Sequence, residues 1–203
     1  MRSLNLSTGV EVATIGNEGL VGLPVVLGVD RTPTQAFVQV SGTAWRMRSA
    51  SLRAALERHA PLRHVLNRYT QALFTLLAQG AACNRVHSMR ERCARWLLLT
   101  HDRVESDEFK LTQAFLAQML GVRRATVNEV AQQLQGEGSI RYVRGVVSVL
   151  SRERLEQTSC ECYLIIRSEF ERLIEGKRTR SPVRGLLSKR AVAPPRHDNP
   201  DES

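Results

Sequence analysis

Three observations predict an α+β fold. Short β-prone runs separated by turn signals fill residues 9–47, helical periodicity takes over after Met47, and a second pair of β-prone runs returns between residues 139 and 150. The chain has 203 residues, enough for one or two domains with real cores, and its apolar and charged fractions of 42% and 24% are those of a globular protein.

In the first segment, Val10-Glu11-Val12-Ala13-Thr14-Ile15 is β-prone and Gly16-Asn17-Glu18-Gly19 reads as a turn. Residues 20–28 are apolar with two glycines, residues 30–33 break the chain, and Ala36-Phe37-Val38-Gln39-Val40 is a second strand candidate before the turn at Ser41-Gly42 and the run 43–47. Three or four short strands cannot close a barrel or sandwich alone.

After a short helix at 51–59, Pro61 suits the first turn of a long one. Leu62, Leu66, Tyr69, Leu73 and Leu76 recur at alternating steps of four and three, and Gly80 and Cys83 continue the series. That is a heptad seam about three repeats long. It fits either a helix packed on its own domain or a parallel dimer helix, and the dimer is the reading adopted. A further helix is expected over 86–99 with Met89, Cys93, Trp96 and Leu97 on one face, then an acidic hinge over 101–108.

Residues 110–150 carry the most specific pattern. Thr112 is a candidate N-cap for a helix over 113–120, with Leu116 and Leu120 inward. Ala117 lies where a second helix must cross closely, Gly121 permits the positive φ of a tight turn, and Val122 plugs the corner. A second helix starts near Arg123 and buries Val127, Val130, Ala131 and Leu134. A small residue, a glycine four later and a β-branched residue six after that specify a helix-turn-helix. Its outer face offers Arg124, Ala125, Asn128, Glu129 and Gln132 to a major groove, where Arg grips guanine and Asn or Gln grips adenine bidentately. Arg124 and Asn128 are the first candidates for base reading, with Arg123, Thr126 and Thr112 on the phosphates. The two runs around Val143-Arg144-Gly145 form a wing whose tip carries Arg141 and Arg144 to the DNA backbone.

Charge agrees with a polyanionic partner. The net charge is +9, and residues 110–155 hold seven basic residues against three acidic, as does the stretch from Gly176 onward; residues 1–101 are basic as well, with twelve against five. Residues 151–174 are helix-prone, and the tail beyond has the composition of a disordered segment. The N-terminus lacks a signal-peptide core and residues 72–83 are too short and polar to span a bilayer, so a cytoplasmic chain with four reduced cysteines is expected, with no membrane partner. No phosphate loop, HExxH or Gly-x-Ser-x-Gly is present, and His59, His64, His87, His101 and His197 read as surface residues, so no catalytic residue is assigned.

LTQAFLAQMLGVRRATVNEVAQQLQ followed by IRYVRGVVSVL resembles the C-terminal domain of the Crp/Fnr family of bacterial transcription regulators. VEVATIGNEGLVGLPVVLG followed by AFVQVSGTAWRM resembles the later part of that family's cyclic-nucleotide-binding-like β-roll, and the helix from Pro61 lies at the place of its dimer helix. The resemblance implies four parts: a partial β-roll effector-like domain (1–60), a dimerisation helix (61–83), a winged helix-turn-helix DNA-binding domain (84–175) and a disordered basic tail (176–203). It also implies a homodimer on a two-fold operator of double-stranded DNA, with half-sites about one helical turn apart and RNA polymerase as a partner.

Three departures qualify it. The family's β-roll begins earlier than Met1 does here, which raises a second expectation: a shortened paralogue that works by heterodimerising with a full-length relative. Where cyclic-nucleotide binders have Gly-Glu-Leu and Arg-Ser-Ala, this chain has Gly19-Leu20-Val21 and Thr34-Gln35-Ala36, with Arg31 at the wrong offset, so cyclic AMP is not expected. The N-terminal cysteines of the cluster-binding members are missing, and Cys160-Glu161-Cys162 supplies two thiols that cannot complete a four-ligand site alone, so neither a metal nor another cofactor is expected. In the reading helix Arg124 matches the family's common arginine, while Ala125 replaces a frequent glutamate and Glu129 a frequent arginine.

Overall fold

Residues 2–3, 11–104 and 106–176 are described by the computed structural model. The tail expected to be disordered lies outside them from residue 177 onward. Element order is β1 (Arg2–Ser3), α1 (Leu23–Val26), β2 (Thr34–Gln35), α2 (Ser49–Arg58), α3 (Ala60–Val86), α4 (Met89–His101), β3 (Glu108–Lys110), α5 (Gln113–Leu120), α6 (Arg124–Gly136), β4 (Ile140–Val143), β5 (Val146–Val149), α7 (Arg152–Thr158) and α8 (Cys162–Leu173). No helix among the described residues is long and apolar enough to cross a membrane.

The helices start where the sequence supplies caps. Pro61 stands in the first turn of α3. Ser88 and Glu91 close a capping box at the start of α4, the Glu91 carboxylate accepting from the Ser88 N–H at 2.8 Å. Ser151 accepts from the Arg154 N–H at the start of α7. α4 is the centre of the core: residues 93–100 are buried on every side, and α6, α7 and α8 all pack on it.

The N-terminal strands are not formed as expected. Among the described residues of this segment, β1 pairs with β2, antiparallel, Glu11 stands in an isolated bridge, and residues 36–48 run outside any strand. A strand persists only where a neighbour accepts its ladder hydrogen bonds. The segment is instead fastened to the helices by side chains. The Glu11 carboxylate accepts from Trp96 Nε1 (3.1 Å) and from the Thr14 hydroxyl (2.6 Å), and burial pushes its pKa up. Arg103 pairs with Glu18 at 2.9 Å and stacks over the Phe170 ring.

The seam on α3 is used within the chain. Tyr69, Leu73 and Leu76 are buried, Leu62 and Leu66 are partly so, and Tyr69 meets Phe170 of α8 edge-on at 6.4 Å. Arg68 also donates to the Arg172 carbonyl at 3.0 Å. The heptad stripe is therefore real as an apolar stripe, but α8 and the core cover its central residues, so those three cannot also face a second copy. Away from that face Phe74 and Leu77 are exposed, and Val65 is exposed a turn before Tyr69.

The expected hinge over 101–108 is a fastened corner. Arg152 donates to Asp102 Oδ1 (2.6 Å), Glu156 Oε1 (2.9 Å) and the Tyr163 hydroxyl, and its Nη1 meets His101 Nδ1 at 2.8 Å. His101 Nε2 meets Asp107 at 2.7 Å, and Glu108 opens β3. Arg152→Ala leaves Asp102 without its guanidinium partner, and a loss of roughly 2–3 kcal/mol is expected from charge-assisted hydrogen bonds of this kind. Denaturant unfolding checks it; a midpoint equal to the parent's would show that the corner holds without Arg152.

Candidate nucleic-acid interface

The reading helix is placed by a turn that only certain residues permit. Thr112 caps α5, its hydroxyl accepting from the Phe115 N–H at 3.1 Å. Gly121 ends α5 at φ 68°, in the left-handed region that a side chain disfavours, and the Val122 N–H returns to the Ala117 carbonyl at 2.9 Å. Leu116, Ala117 and Leu120 on α5 and Val127, Val130, Ala131 and Leu134 on α6 are all buried, as the spacing predicts. α6 begins one residue later than expected, with Arg123 in extended conformation at its N-cap.

Burying that face turns the other one outward. Arg124, Ala125, Asn128, Glu129 and Gln132 are all exposed and fall on one face at steps of one, three, one and three. Arg123 is exposed beside them and Thr126 is half-buried. Neither Arg123 nor Arg124 joins a salt bridge among the described residues. Gln113 was not foreseen in this group: its Nε2 donates to Asn128 Oδ1 at 3.2 Å. The signal for it is weak in sequence, because a polar first-turn residue of α5 is unremarkable until the crossing of the two helices is known.

The wing differs in detail from its sequence reading. β4 and β5 pair from Ile140↔Val149 to Val143↔Val146, and the two-residue turn is Arg144-Gly145, both at positive φ (50° and 77°). Arg144 stands at the tip. Arg141 does not: its register partner is Ser148, at mid-hairpin, and its guanidinium lies 3.9 Å from Glu108. β3 joins the sheet on the far side of β5, giving the order β3-β5-β4. The wing is anchored to the helices by the Tyr142 hydroxyl, which donates to the Leu111 carbonyl at 2.7 Å, and by the Tyr142 N–H, which donates to Gln135 at 2.9 Å. Phe37 of the N-terminal segment lies edge-on to Phe115 of α5 at 5.8 Å.

Away from this face, Cys83, His87, Cys160 and Cys162 place one sulfur or ring-nitrogen atom each within 4.8 Å of one another. Three thiols are buried together, and His87, read in the sequence as a surface residue, is half-buried and closes the group. Hydrogen bonding from Cys160 and Cys162 holds the Cys83 thiol far below its ordinary range, while the same contacts push Cys162 up. The sequence hides the grouping because Cys83 and Cys160 are 77 residues apart. Cys93, the fourth cysteine, is buried elsewhere in the core, and burial pushes its thiol up to about 12.

Residues 91–158 match the Crp-like helix-turn-helix domain. Comparison with curated proteins gives no match. Among solved structures, the chain is similar to FixK2 from Bradyrhizobium japonicum at 19% identity, covering 56% of this chain and 60% of that one, with a TM-score of 0.51. A putative regulator of the crp/fnr family from Eubacterium rectale is similar at 23% identity over 54% of this chain and 51% of that one, TM-score 0.43. A CRP/FNR family regulator from Thermus thermophilus is similar at 18% identity over 78% and 81%, TM-score 0.46. The chain thus spans just over half the length of the first two, and at 19% identity the likeness to FixK2 is one of fold. Residues 91–158 therefore carry a Crp-like helix-turn-helix domain, the part of the chain in which the reading helix α6 and the wing lie.

Proposed function

We propose that the protein is a sequence-specific regulator of transcription that binds a two-fold operator in double-stranded DNA as a homodimer, with RNA polymerase as its eventual partner. The observation that carries this reading is the outer face of α6, where five polar or small residues stand exposed on a helix whose other side is locked into the core.

Arg124 has the fork geometry to grip guanine O6 and N7 in the major groove. Asn128 grips adenine through its amide. Its Oδ1 has two lone pairs, so the bond from Gln113 fixes the amide plane and still leaves an acceptor for the adenine amino group. Glu129 accepts from a cytosine amino group or repels phosphate from a wrong register, and Ala125 and Gln132 complete the reading face. Arg123, Thr126, Thr112, Arg144 and, from the middle of the hairpin, Arg141 meet phosphates and supply affinity without sequence choice.

Dimerisation is assigned to the outward face of α3. Phe74 and Leu77 are exposed there, and Ala78 and Ala81 continue the stripe beyond Phe74 at helical spacing. Tyr69, Leu73 and Leu76 support the dimer only indirectly, by fixing α3 to its own core.

Random-site selection with the purified chain should return a two-fold sequence, and recovery of no preferred sequence from pure, dimeric protein would overturn the reading. Arg124→Ala should relax the preference at one base pair per half-site at a loss of about 1–3 kcal/mol, whereas Arg144→Ala should weaken all sequences alike and flatten the salt dependence by about one phosphate contact. Equal losses on selected and random DNA for Arg124→Ala would remove it from the base-reading set. Gln113→Ala should lower discrimination at the Asn128 position without altering the salt slope. Phe74→Glu combined with Leu77→Glu should yield a folded monomer in sedimentation, because both residues are exposed. Leu73→Glu should unfold the chain instead, and a dimer that survives the Phe74/Leu77 pair would place the interface elsewhere.

A further inference from the structure

The group formed by Cys83, His87, Cys160 and Cys162 has the donor set, spacing and surroundings of a metal centre. We propose that these four residues form a tetrahedral site for a single zinc ion, which fastens the C-terminal end of α3 to the link between α7 and α8.

Donor geometry is the first ground. Zinc held at about 2.3 Å by sulfur and about 2.0 Å by nitrogen sets tetrahedral edges of roughly 3.8 Å between sulfurs and roughly 3.6 Å between sulfur and nitrogen. Cys83 Sγ lies 3.4 Å from Cys160 Sγ, Cys162 Sγ lies 3.6 Å from His87 Nδ1, and all four donors fall within 4.8 Å. A covalent disulfide would need sulfurs about 2.05 Å apart. A polynuclear cluster binds its ligands to separate irons and spreads them farther, so four donors this close surround one ion.

Local structure explains why the donors converge. Cys83 and His87 are four apart, which places them on one face of the last turn of α3, and the His87 N–H donates to the Cys83 carbonyl at 3.1 Å. Cys160 and Cys162 flank Glu161 at the N-terminus of α8, where the helix dipole favours thiolates. α3 and α8 pack along their lengths and bring the two pairs together.

The surroundings are those of a ligating histidine. Zinc-bound imidazole gives its other ring N–H to a carboxylate, which fixes the tautomer. His87 turns Nδ1 toward the sulfurs and Nε2 toward Glu161 Oε2, at 3.3 Å. Three thiolates, a neutral imidazole and Zn²⁺ sum to one negative charge. Arg95, buried with its Nε lacking a hydrogen-bond partner, acts electrostatically on Cys83 and Cys160, and Arg92 does so as well. Two guanidinium groups thus balance a centre that would otherwise be an uncompensated buried anion.

The test uses the full chain, stripped with chelator under reducing conditions and reloaded with Zn²⁺ or Co²⁺. One metal per chain is expected. The cobalt form should show the visible bands of a four-coordinate centre with thiolate-to-metal charge transfer. Cys93→Ser should leave both unchanged. His87→Ala should keep the charge transfer, shift the visible bands and weaken binding, and Glu161→Gln should keep the stoichiometry with affinity lowered about tenfold. His87 and Glu161 sit at the accessible edge of the group, so these two variants decide the matter even where Cys160→Ser or Cys162→Ser fails to fold. Substoichiometric metal in excess Zn²⁺, a six-coordinate cobalt spectrum, a Cys83–Cys160 disulfide that excludes metal, or bands indifferent to His87→Ala would each overturn the site. None of these readouts depends on DNA binding.

Discussion

Residues 93–100 of α4 have no face left for solvent, and that total burial is what places everything else. A helix apolar on one side can slide or roll against its neighbours at modest cost. One enclosed all round is fixed in azimuth and height, because every side chain is already in contact at interior packing density. α6, α7 and α8 each take their position from α4, and the N-terminal segment reaches it through Glu11 and Trp96. The direction in which α6 presents Arg124 and Asn128 is therefore set by buried residues of α4 rather than by its own exposed face.

Polar links then remove the remaining freedom. Arg152 gathers Asp102, Glu156, His101 and Tyr163 at the corner where α4 gives way to β3. Tyr142 ties the wing to the backbone before α5. These bonds are oriented, so they set register as well as contributing stability, and their loss would loosen the wing relative to α6 before it melted either.

The helix-turn-helix was legible because its information is local: Ala117, Gly121 and Val127 are constrained by a turn three residues long. The wing was legible as a hairpin, but the side-chain pattern could not say that Arg144-Gly145 alone make the turn, which is why Arg141 was placed at the tip. β3 was hidden because three residues with one buried side chain, Phe109, carry no periodicity. The stripe of Tyr69, Leu73 and Leu76 was visible, yet a heptad pattern reports only that something apolar covers it, and α8 does so from about a hundred residues away. The Cys83 and Cys160 meeting is the extreme case, since no local rule connects positions so far apart. The N-terminal strands failed for the opposite reason: β-propensity was present, and the neighbours that would use it were not among the described residues.

Only His87 and Ser88 lie between the end of α3 and the start of α4. Those two residues are the joint between the long helix and the domain that carries α6. Here the joint is crossed by its own far end, with Cys160 and Cys162 reaching back to Cys83 and with Glu161 on His87. The two-residue link is thus held from both sides of the sequence, and the angle between α3 and α4 is set by side chains that arrive from the start of α8 rather than by the link itself.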